Sequence, residues 1–368
     1  ELVEDRALLW NDKRSQPQVD AFIAREGREK WLAYLNNPPA AAWPAFKLVW
    51  WREHHPERWP QLAKVLMPKD YINFMLTGAM ATDYSEASCY FLMDSETRSW
   101  SSQACETFGL RVDQLPDLKL SSDIIGQVTP RAASLTGLPA GIPVVAGTSD
   151  MAASLLGSGV YEPGMASDST GTSTLMTVVS SRPLHHPLVN NLHLANAAWG
   201  GFTILDAGGD AVRWARLALA DNQITHPQLL QEAAAVPAGA EGLLFLPYLT
   251  GERLAEHTNS RAQFFGLQRK HRRGHLFRAV LEGVAFASWR NLRQLQKCGQ
   301  YPQQMIASGG GARSPLWLEI KAAAYNLPIL STRNQENGVT GCGIIAGVGA
   351  GLYADFASGV RQTVQFDK

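Results

Sequence analysis

The sequence has few cysteines and no net charge, and each of these two features excludes some classes of protein. Its 368 residues include 4 cysteines, and none of them is spaced as in a CxxC motif. So few, scattered cysteines suit a reducing compartment and argue against a disulfide framework. The 33 basic and 33 acidic residues cancel to a formal net charge of zero. No overall field therefore attracts nucleic acid or an anionic membrane.

Long apolar runs are also missing. No stretch approaches the roughly 20 residues that cross a membrane, and the N-terminus lacks the basic and then apolar pattern of a signal peptide. These features predict a soluble, cytoplasmic protein without a nucleic-acid or membrane partner. The sequence does not begin with methionine, so we expect a fragment of a longer chain.

Several well-known nucleotide and hydrolase motifs are absent as well. The chain has no GxxxxGK[ST] loop, and no GxGxxG follows a strand with an acidic residue at the right distance. The GxS sequences at 147–149 and 171–173 lack the second glycine of a nucleophile elbow. His271 and His275 have metal-like spacing, but Gly274 and the neighbouring arginines favour a solvated helix start. No metal-ligating residue is predicted.

What the sequence does contain is a regular alternation of strands and helices after a mainly helical first part. Short apolar segments end in glycine turns and continue into helix-like stretches, as at 202–219 and 303–330. This alternation predicts an α/β architecture. A turn-rich segment near 155–163 predicts a boundary, which divides the chain into domains 1–156 and 157–368.

Three glycine turns follow apparent strands, at 169–174, 207–214 and 308–317. Glycine lets the backbone approach a ligand closely, and the N–H groups at a helix start favour an anionic group. Any one of these turns could simply reverse the chain. Three of them in one domain favour a nucleotide site.

Asp150 is placed where an apolar run gives way to a helix-like segment, in the sequence GTSDMAA at 147–153. Aspartate is a favoured helix N-cap, yet Thr148 or Ser149 could cap the same helix. The residues alone leave two roles open for Asp150, a cap and a chemically active carboxylate.

Several motifs occur in the order found in the FGGY carbohydrate kinases, a family that this chain resembles over essentially its whole length. They are LLWNDKRS, TDYSEAS, VVAGTSDMAASLLGSG, STGTST, LPYLTGER, RAVLEGVAFA and ASGGGARSPLW. Within the family the chain looks most like the xylulokinases. The resemblance implies two domains of the actin/hexokinase/Hsp70 type, a ribonuclease H-like fold. ATP would be bound mostly by the second domain, and the sugar would be held in the cleft.

The chain departs from the family pattern at its start. Members of the family begin roughly 90 to 100 residues earlier, within ordinary domain-size norms, with a strand and an Asp-x-Gly-Thr phosphate loop. That segment is not in this sequence, so we expect an incomplete first domain. We also expect the isolated chain to bind adenine nucleotide weakly and to phosphorylate no sugar at a useful rate.

The resemblance implies a role for Asp150 as the base that takes a proton from a sugar hydroxyl, with MgATP as phosphate donor. The sugar would be a ketose, most of all D-xylulose, giving D-xylulose 5-phosphate. Nucleotide contacts are expected from Gly171, Thr172, Gly209, Arg213, Gly310, Gly311 and Ala312. Sugar contacts are expected from Trp10, Asn11, Asp12, Trp43, Met151 and Leu175.

For some of these residues a structural role is an alternative to a binding role. Arg213 could be an ordinary surface residue, and Trp10 could belong to the core. The sequence around Trp43 departs from the family pattern, and the apolar Met151 and Leu175 would shape a pocket without specifying a sugar.

Other functions also stay open. The substrate could be another ketose or a polyol, or the chain could be a non-catalytic sensor of the same fold, which would not need Asp150. An actin-like or chaperone ATPase would leave LWND and TDYSEAS unexplained. The sequence leaves the oligomeric state open, with a homodimer among the options.

Overall fold

A computed structural model describes residues 2–4, 6–220, 224–252, 259–334 and 336–367. The chain divides into two compact units that do not follow the chain order. Unit 1 comprises Glu1–Tyr161, Ser181–Gly200 and Glu336–Val364, and unit 2 comprises Glu162–Ser180, Gly201–Gln335 and Gln365–Lys368.

The helices of the described residues are numbered in chain order. They are α1 (Gln16–Glu26), α2 (Arg28–Leu35), α3 (Pro44–His54), α4 (Pro68–Thr77), α5 (Tyr84–Ser88), α6 (Ser102–Phe108), α7 (Pro130–Thr136), α8 (Asp150–Gly157), α9 (Gly209–Leu219), α10 (His226–Ala234), α11 (Arg273–Lys297), α12 (Pro315–Tyr325), α13 (Asn337–Gly349) and α14 (Phe356–Thr363). Among the described residues, no helix is both long and apolar enough to cross a membrane.

The strands of the same residues are short. They are β1 (Ala81–Asp83), β2 (Met93–Asp94), β3 (Ser99–Trp100), β4 (Asp117–Lys119), β5 (Ile124–Gln127), β6 (Pro143–Val145), β7 (Ala166–Thr170), β8 (Thr174–Ser180), β9 (Asn190–His193), β10 (Trp199–Leu205), β11 (Leu244–Leu246), β12 (Gln263–Phe265), β13 (Met305–Ser308), β14 (Ile329–Thr332) and β15 (Phe366–Asp367).

Unit 1 is largely helical, as the first part of the sequence predicts. Helices α3 and α4 each begin with a proline, which fits the first helical turn because proline lacks an N–H, and an N–H at that position would have no partner within the helix. Helix α4 ends at Gly78, whose φ of 81° is the left-handed conformation that glycine adopts without strain. The core of this unit is aromatic, with Phe22, Trp31, Phe46, Phe91 and Phe108 all buried.

Helices α8 and α13 of unit 1 pack backbone against backbone. A Cβ atom on Gly157 would lie 1.9 Å from the carbonyl oxygen of Asn337, and one on Gly341 would lie 1.9 Å from that of Ala153. Only glycine permits this approach. Helix α13 therefore supports the helix that begins at Asp150.

Unit 2 is built on a mixed sheet with the order β15-β14-β13-β7-β8-β10. Strands β7 and β8 pair antiparallel across the turn at Gly171, and β13 runs parallel to both β7 and β14. Helices α9, α10, α11 and α12 contribute to a core around Phe245, Phe277 and Trp317. The two predicted strand–turn–helix segments are therefore confirmed, and so is the α/β class.

Candidate functional site

The first two glycine turns of unit 2 are in direct contact. The N–H of Gly209 donates to the carbonyl of Gly171 at 3.0 Å, and the N–H of Asp210 donates to that of Thr172 at 2.9 Å. A Cβ atom on Gly209 would lie 2.1 Å from the Gly171 oxygen. The start of α9 thus rests on the turn between β7 and β8, and Gly209 is required for that contact.

The third glycine turn reaches the same place. A Cβ atom on Gly309 would lie 2.6 Å from the carbonyl oxygen of Thr170, and one on Gly311 would lie 2.7 Å from the Thr170 Cβ. Gly309 also has a φ of +76°, which side chains rarely adopt. All three predicted turns therefore meet at residues 170–172.

Two glycines of these turns have another character. A Cβ atom on Gly171 or on Gly310 would meet no protein atom within 4 Å, and both residues are exposed. Their missing side chains are not needed for packing. They leave open space beside the Cα atoms at the point where the three turns meet, which suits close approach by a ligand.

The remaining nucleotide candidates lie at the edges of this cluster. Arg213 is exposed on α9 and forms an ion pair with Asp210, one helical turn away. Ala312 is half-buried in the short 3₁₀ turn Gly310–Arg313 that precedes α12. Thr172 is exposed beside Gly171.

In unit 1, Asp150 is the first residue of α8, just after β6 and a short turn. Ser149 is the N-cap, and its Oγ accepts the N–H of Ala152 at 3.4 Å. The carboxylate of Asp150 accepts the N–H of the adjacent Met151 at 2.6 Å, and the residue is exposed. Because Ser149 is the N-cap, Asp150 is available for another role.

A buried carboxylate, Asp83, holds the corner that presents Asp150. It accepts the hydroxyl of Thr148 at 3.0 Å, the hydroxyl of Ser121 at 3.1 Å and the N–H of Ser85 at 2.9 Å. Ser85 in turn lies 2.6 Å from Ser149, hydroxyl to hydroxyl. Two separate segments of the chain, at residues 83–85 and at residue 121, are tied to the start of α8 in this way.

Lys69 supplies the positive charge of this network. Its Nζ lies 2.6 Å from Asp70 and 3.3 Å from Asp83, and it donates to the carbonyl of Ala146 at 3.0 Å. Burial opposes the charge on Lys69, but the two carboxylates outweigh it and raise the lysine pKa. The cation therefore stays charged under the corner.

Glu86 is a further acid in this region. Burial raises its pKa to about 7, and the negative charges of Asp83, Asp70 and Asp150 act in the same direction, against Lys69. Glu86 therefore changes charge near neutral pH within electrostatic range of Asp150.

The sugar candidates of unit 1 differ in exposure. Trp10 and Asn11 are exposed, and the carboxylate of Asp12 accepts the N–H and the Nε–H of Arg14 at 2.9 and 2.8 Å. Trp43 is buried, and its indole N–H donates to the carbonyl of Pro38 at 2.8 Å.

The two apolar candidates lie on different units. Met151 is half-buried in the first turn of α8 beside Asp150, and Leu175 is half-buried on β8 in unit 2. The roles of all these residues stay predictions.

Sequence reasoning gave no role to Asp83, Lys69 or Glu86. The polar run TDYSEAS was a usable signal, since an aspartate before a short helix is typical of an N-cap. Nothing local indicated that Asp83 also contacts residues 121 and 148.

Comparison with known proteins gives this geometry a family. Residues 4–157 match the N-terminal domain of the FGGY family of carbohydrate kinases, and residues 166–350 match its C-terminal domain. The xylulose kinase of Bacillus subtilis (strain 168) is 30% identical over 98% of this chain and 72% of that protein. The xylulose kinase of Escherichia coli (strain K12) is 35% identical over 86% of this chain and 65% of that protein.

A solved structure agrees. The crystal structure of xylulose kinase from Rhodospirillum rubrum superposes with a TM-score of 0.90 at 31% identity, covering 97% of this chain and 73% of that one. The chain belongs to the FGGY family of carbohydrate kinases. The predicted family, the two-domain sugar-kinase fold and the phosphotransferase class are confirmed, with ATP as the substrate that the family implies.

Proposed function

We propose that this chain carries an ATP-dependent kinase that phosphorylates D-xylulose to D-xylulose 5-phosphate. The proposal is supported by the likeness to xylulose kinases from several bacteria, at 30% and 35% identity over most of the chain in the two sequences compared above. In that reaction a hydroxyl oxygen of the sugar attacks the γ-phosphorus of ATP, the bond to the bridging oxygen of ADP breaks, and the hydroxyl loses its proton.

Asp150 is the proposed acceptor of that proton. The observation that supports this role best is that Ser149 caps α8 and leaves the Asp150 carboxylate exposed at the first helical position. Negative charge is stabilised at a helix N-terminus, and a general base must be ionised to act. The network of Asp83 and Lys69 fixes the backbone from which Asp150 projects, and a rigid support suits a catalytic group.

The three converging turns of unit 2 are the proposed nucleotide site. The backbone N–H of Thr172 would contact the transferred phosphate. Gly171, whose N–H donates to the Ser173 carbonyl at 2.9 Å, would let the phosphate approach the chain closely. Gly310, Gly311 and Ala312 would contact the adenosine, and Gly209 and Arg213 would complete the set.

Magnesium enters this proposal with ATP, as the substrate MgATP. Within the described ranges, no group of three or more His, Cys, Asp or Glu side chains could hold a metal ion. In MgATP the ion is typically bound by phosphates and water, with few protein carboxylates. When bound, the ion neutralises charge that develops on the phosphates.

We propose Trp10, Asn11, Asp12, Trp43, Met151 and Leu175 as the sugar contacts. We also keep the assignment of residues 1–156 to sugar binding and 157–368 to nucleotide binding. The cytoplasm is the proposed location, since all four cysteines are free thiols and ATP is the donor.

Kinetics on a panel of sugars tests the proposal. ADP release from the intact protein is measured with D-xylulose, D-ribulose and glycerol, each at saturating and at subsaturating MgATP. We expect the highest kcat/KM for D-xylulose. A higher value for another sugar would assign the enzyme to that substrate, and tight sugar binding without ADP release would favour the sensor.

A further inference from the structure

A buried ion pair lies directly beneath the turn at 169–174 of unit 2. Lys321 on α12 places its Nζ 2.9 Å from each carboxylate oxygen of Asp168 on β7. The two side chains are 1% and 0% exposed. Lys321 also donates to the hydroxyl of Thr170 at 2.7 Å, and Asp168 accepts the hydroxyls of Tyr325 at 2.7 Å and of Thr170 at 2.5 Å.

This network is a costly way to fill a core. Removing a carboxylate and an ammonium from water costs several kcal/mol per ion, and apolar residues of similar size often give equal or greater stability. The three protons of the Lys321 ammonium match three acceptors, the two oxygens of Asp168 and the hydroxyl of Thr170. What such a network adds over an apolar core is a fixed direction for each group that it bonds.

The group whose direction is fixed is Thr170, and Thr170 lies where the glycine turns meet. Its hydroxyl lies 3.1 Å from that of Thr174 at the other end of the turn. Its carbonyl and Cβ are the atoms that Gly309 and Gly311 approach. The next residue along the chain, Gly171, has open space beside its Cα atom.

Lys321 also contacts the support of the third turn. Its Nζ lies 4.5 Å from the centre of the Trp317 ring, within the range of a cation–π interaction. A Cβ atom on Gly311 would lie 3.2 Å from the edge of that same ring. One lysine is thus in contact with the supports of two of the three turns.

We propose that Asp168 and Lys321 are positioning residues for the nucleotide, acting through the hydroxyl of Thr170. They hold the turn at 169–174 in the orientation in which the N–H of Thr172 faces the transferred phosphate, while the N–H of Gly171 donates within the turn to the Ser173 carbonyl at 2.9 Å. The inference rests on the proposed function, which places the nucleotide phosphates at this turn. Neither residue touches the nucleotide itself.

The test separates orientation from stability. The double variant Asp168→Leu/Lys321→Leu removes both charges together and leaves no unpaired ion, so we expect a melting temperature near that of the parent. We expect its affinity for MgADP, measured by calorimetry, to fall about tenfold, which corresponds to about 1.4 kcal/mol. The KM for ATP rises by a similar factor while the KM for the sugar stays unchanged.

Two variants of Thr170 sharpen the test. Thr170→Val keeps the shape but loses the hydroxyl, and we expect the same loss of MgADP affinity. Thr170→Ser keeps the hydroxyl and restores the parent affinity. These variants decide the matter if the double variant fails to fold.

A second buried ion pair provides the matched control. Arg278 and Glu282 on α11 lie 2.7 Å apart, with side chains 10% and 7% exposed. Arg278→Leu/Glu282→Leu likewise removes both charges together, and it should leave MgADP affinity unchanged.

The inference would be overturned, and the proposed nucleotide site would stand, if both folded Asp168→Leu/Lys321→Leu and Thr170→Val bound MgADP within a factor of two of the parent affinity. A parent protein that binds no MgADP would overturn the proposed nucleotide site, and this inference with it.

Discussion

In unit 2 the glycine turns are held together by backbone contacts, whereas in unit 1 the corner that carries Asp150 is held by side chains. Gly209 N–H bonds directly to the carbonyl of Gly171, and no side chain could fit between them. Asp83 instead reaches the corner through a carboxylate that bonds the Thr148 hydroxyl and the Ser85 N–H. The contact between the glycine turns should be disrupted when a side-chain atom is added to a glycine. The corner that carries Asp150 should be disrupted when a hydrogen-bonding side chain is removed.

The largest expected effect comes from removing the charge of Asp150. Asp150→Asn should lower turnover by about 10²–10⁴-fold, the usual contribution of a general base. Nucleotide affinity should stay nearly unchanged, because no glycine turn of unit 2 is altered. Steady-state ADP release and MgADP calorimetry on the same folded variant check both parts. Turnover within a factor of two of the parent would remove Asp150 from the role of base.

Substitutions at two glycines of unit 2 test the effect of adding side-chain atoms to the turns. In Gly209→Ala the new Cβ would lie 2.1 Å from the Gly171 oxygen, so we expect a loss of about 1–3 kcal/mol of stability, as in overpacked cores. In Gly310→Val the side chain enters open space, so the melting temperature should hold while the KM for ATP rises. Thermal unfolding and nucleotide kinetics on both variants distinguish them. An unchanged ATP KM in folded Gly310→Val would exclude this turn from the nucleotide site.

The glycine turns of unit 2 could be predicted from the sequence, for a physical reason. A strand, a glycine turn and a helix are each set by residues close together in the chain, as at 202–219 and 303–330. The glycine residues that let the turns approach are visible as letters in the sequence, although which of them contact each other is not. Gly209 and Gly310 look equivalent in the sequence, yet one is needed for packing and the other has open space beside it.

The side-chain networks were far harder to predict. Asp83 bonds to Ser121 and Thr148, which are 38 and 65 residues away in the chain. Asp168 and Lys321 are 153 residues apart. A charged residue in a sequence usually indicates a solvated surface, and only the folded chain shows that these are buried with partners.

The smallest expected effect concerns Glu86. Its pKa is about 7 in the folded protein, against an ordinary value of 4.5 that applies to the unfolded chain. The folded protein therefore binds this proton more tightly than the unfolded chain does. Stability should therefore fall as the pH rises from about 4.5 through 7, by about 1–3 kcal/mol for this group.

Glu86→Gln should flatten this fall in denaturant unfolding measured from pH 4 to pH 8. The same substitution at the exposed Glu106 should leave the pH dependence as it is in the parent. Parallel curves for the parent and Glu86→Gln would show that Glu86 titrates normally.

Phosphorus NMR of the reaction of the intact protein with D-xylulose and MgATP tests the proposed xylulose kinase activity most directly. We expect D-xylulose 5-phosphate and ADP to form in equal amounts, and Asp150→Asn to slow both together. Release of ADP with inorganic phosphate, or no turnover of bound MgATP, would contradict the assignment of this chain as a xylulose kinase.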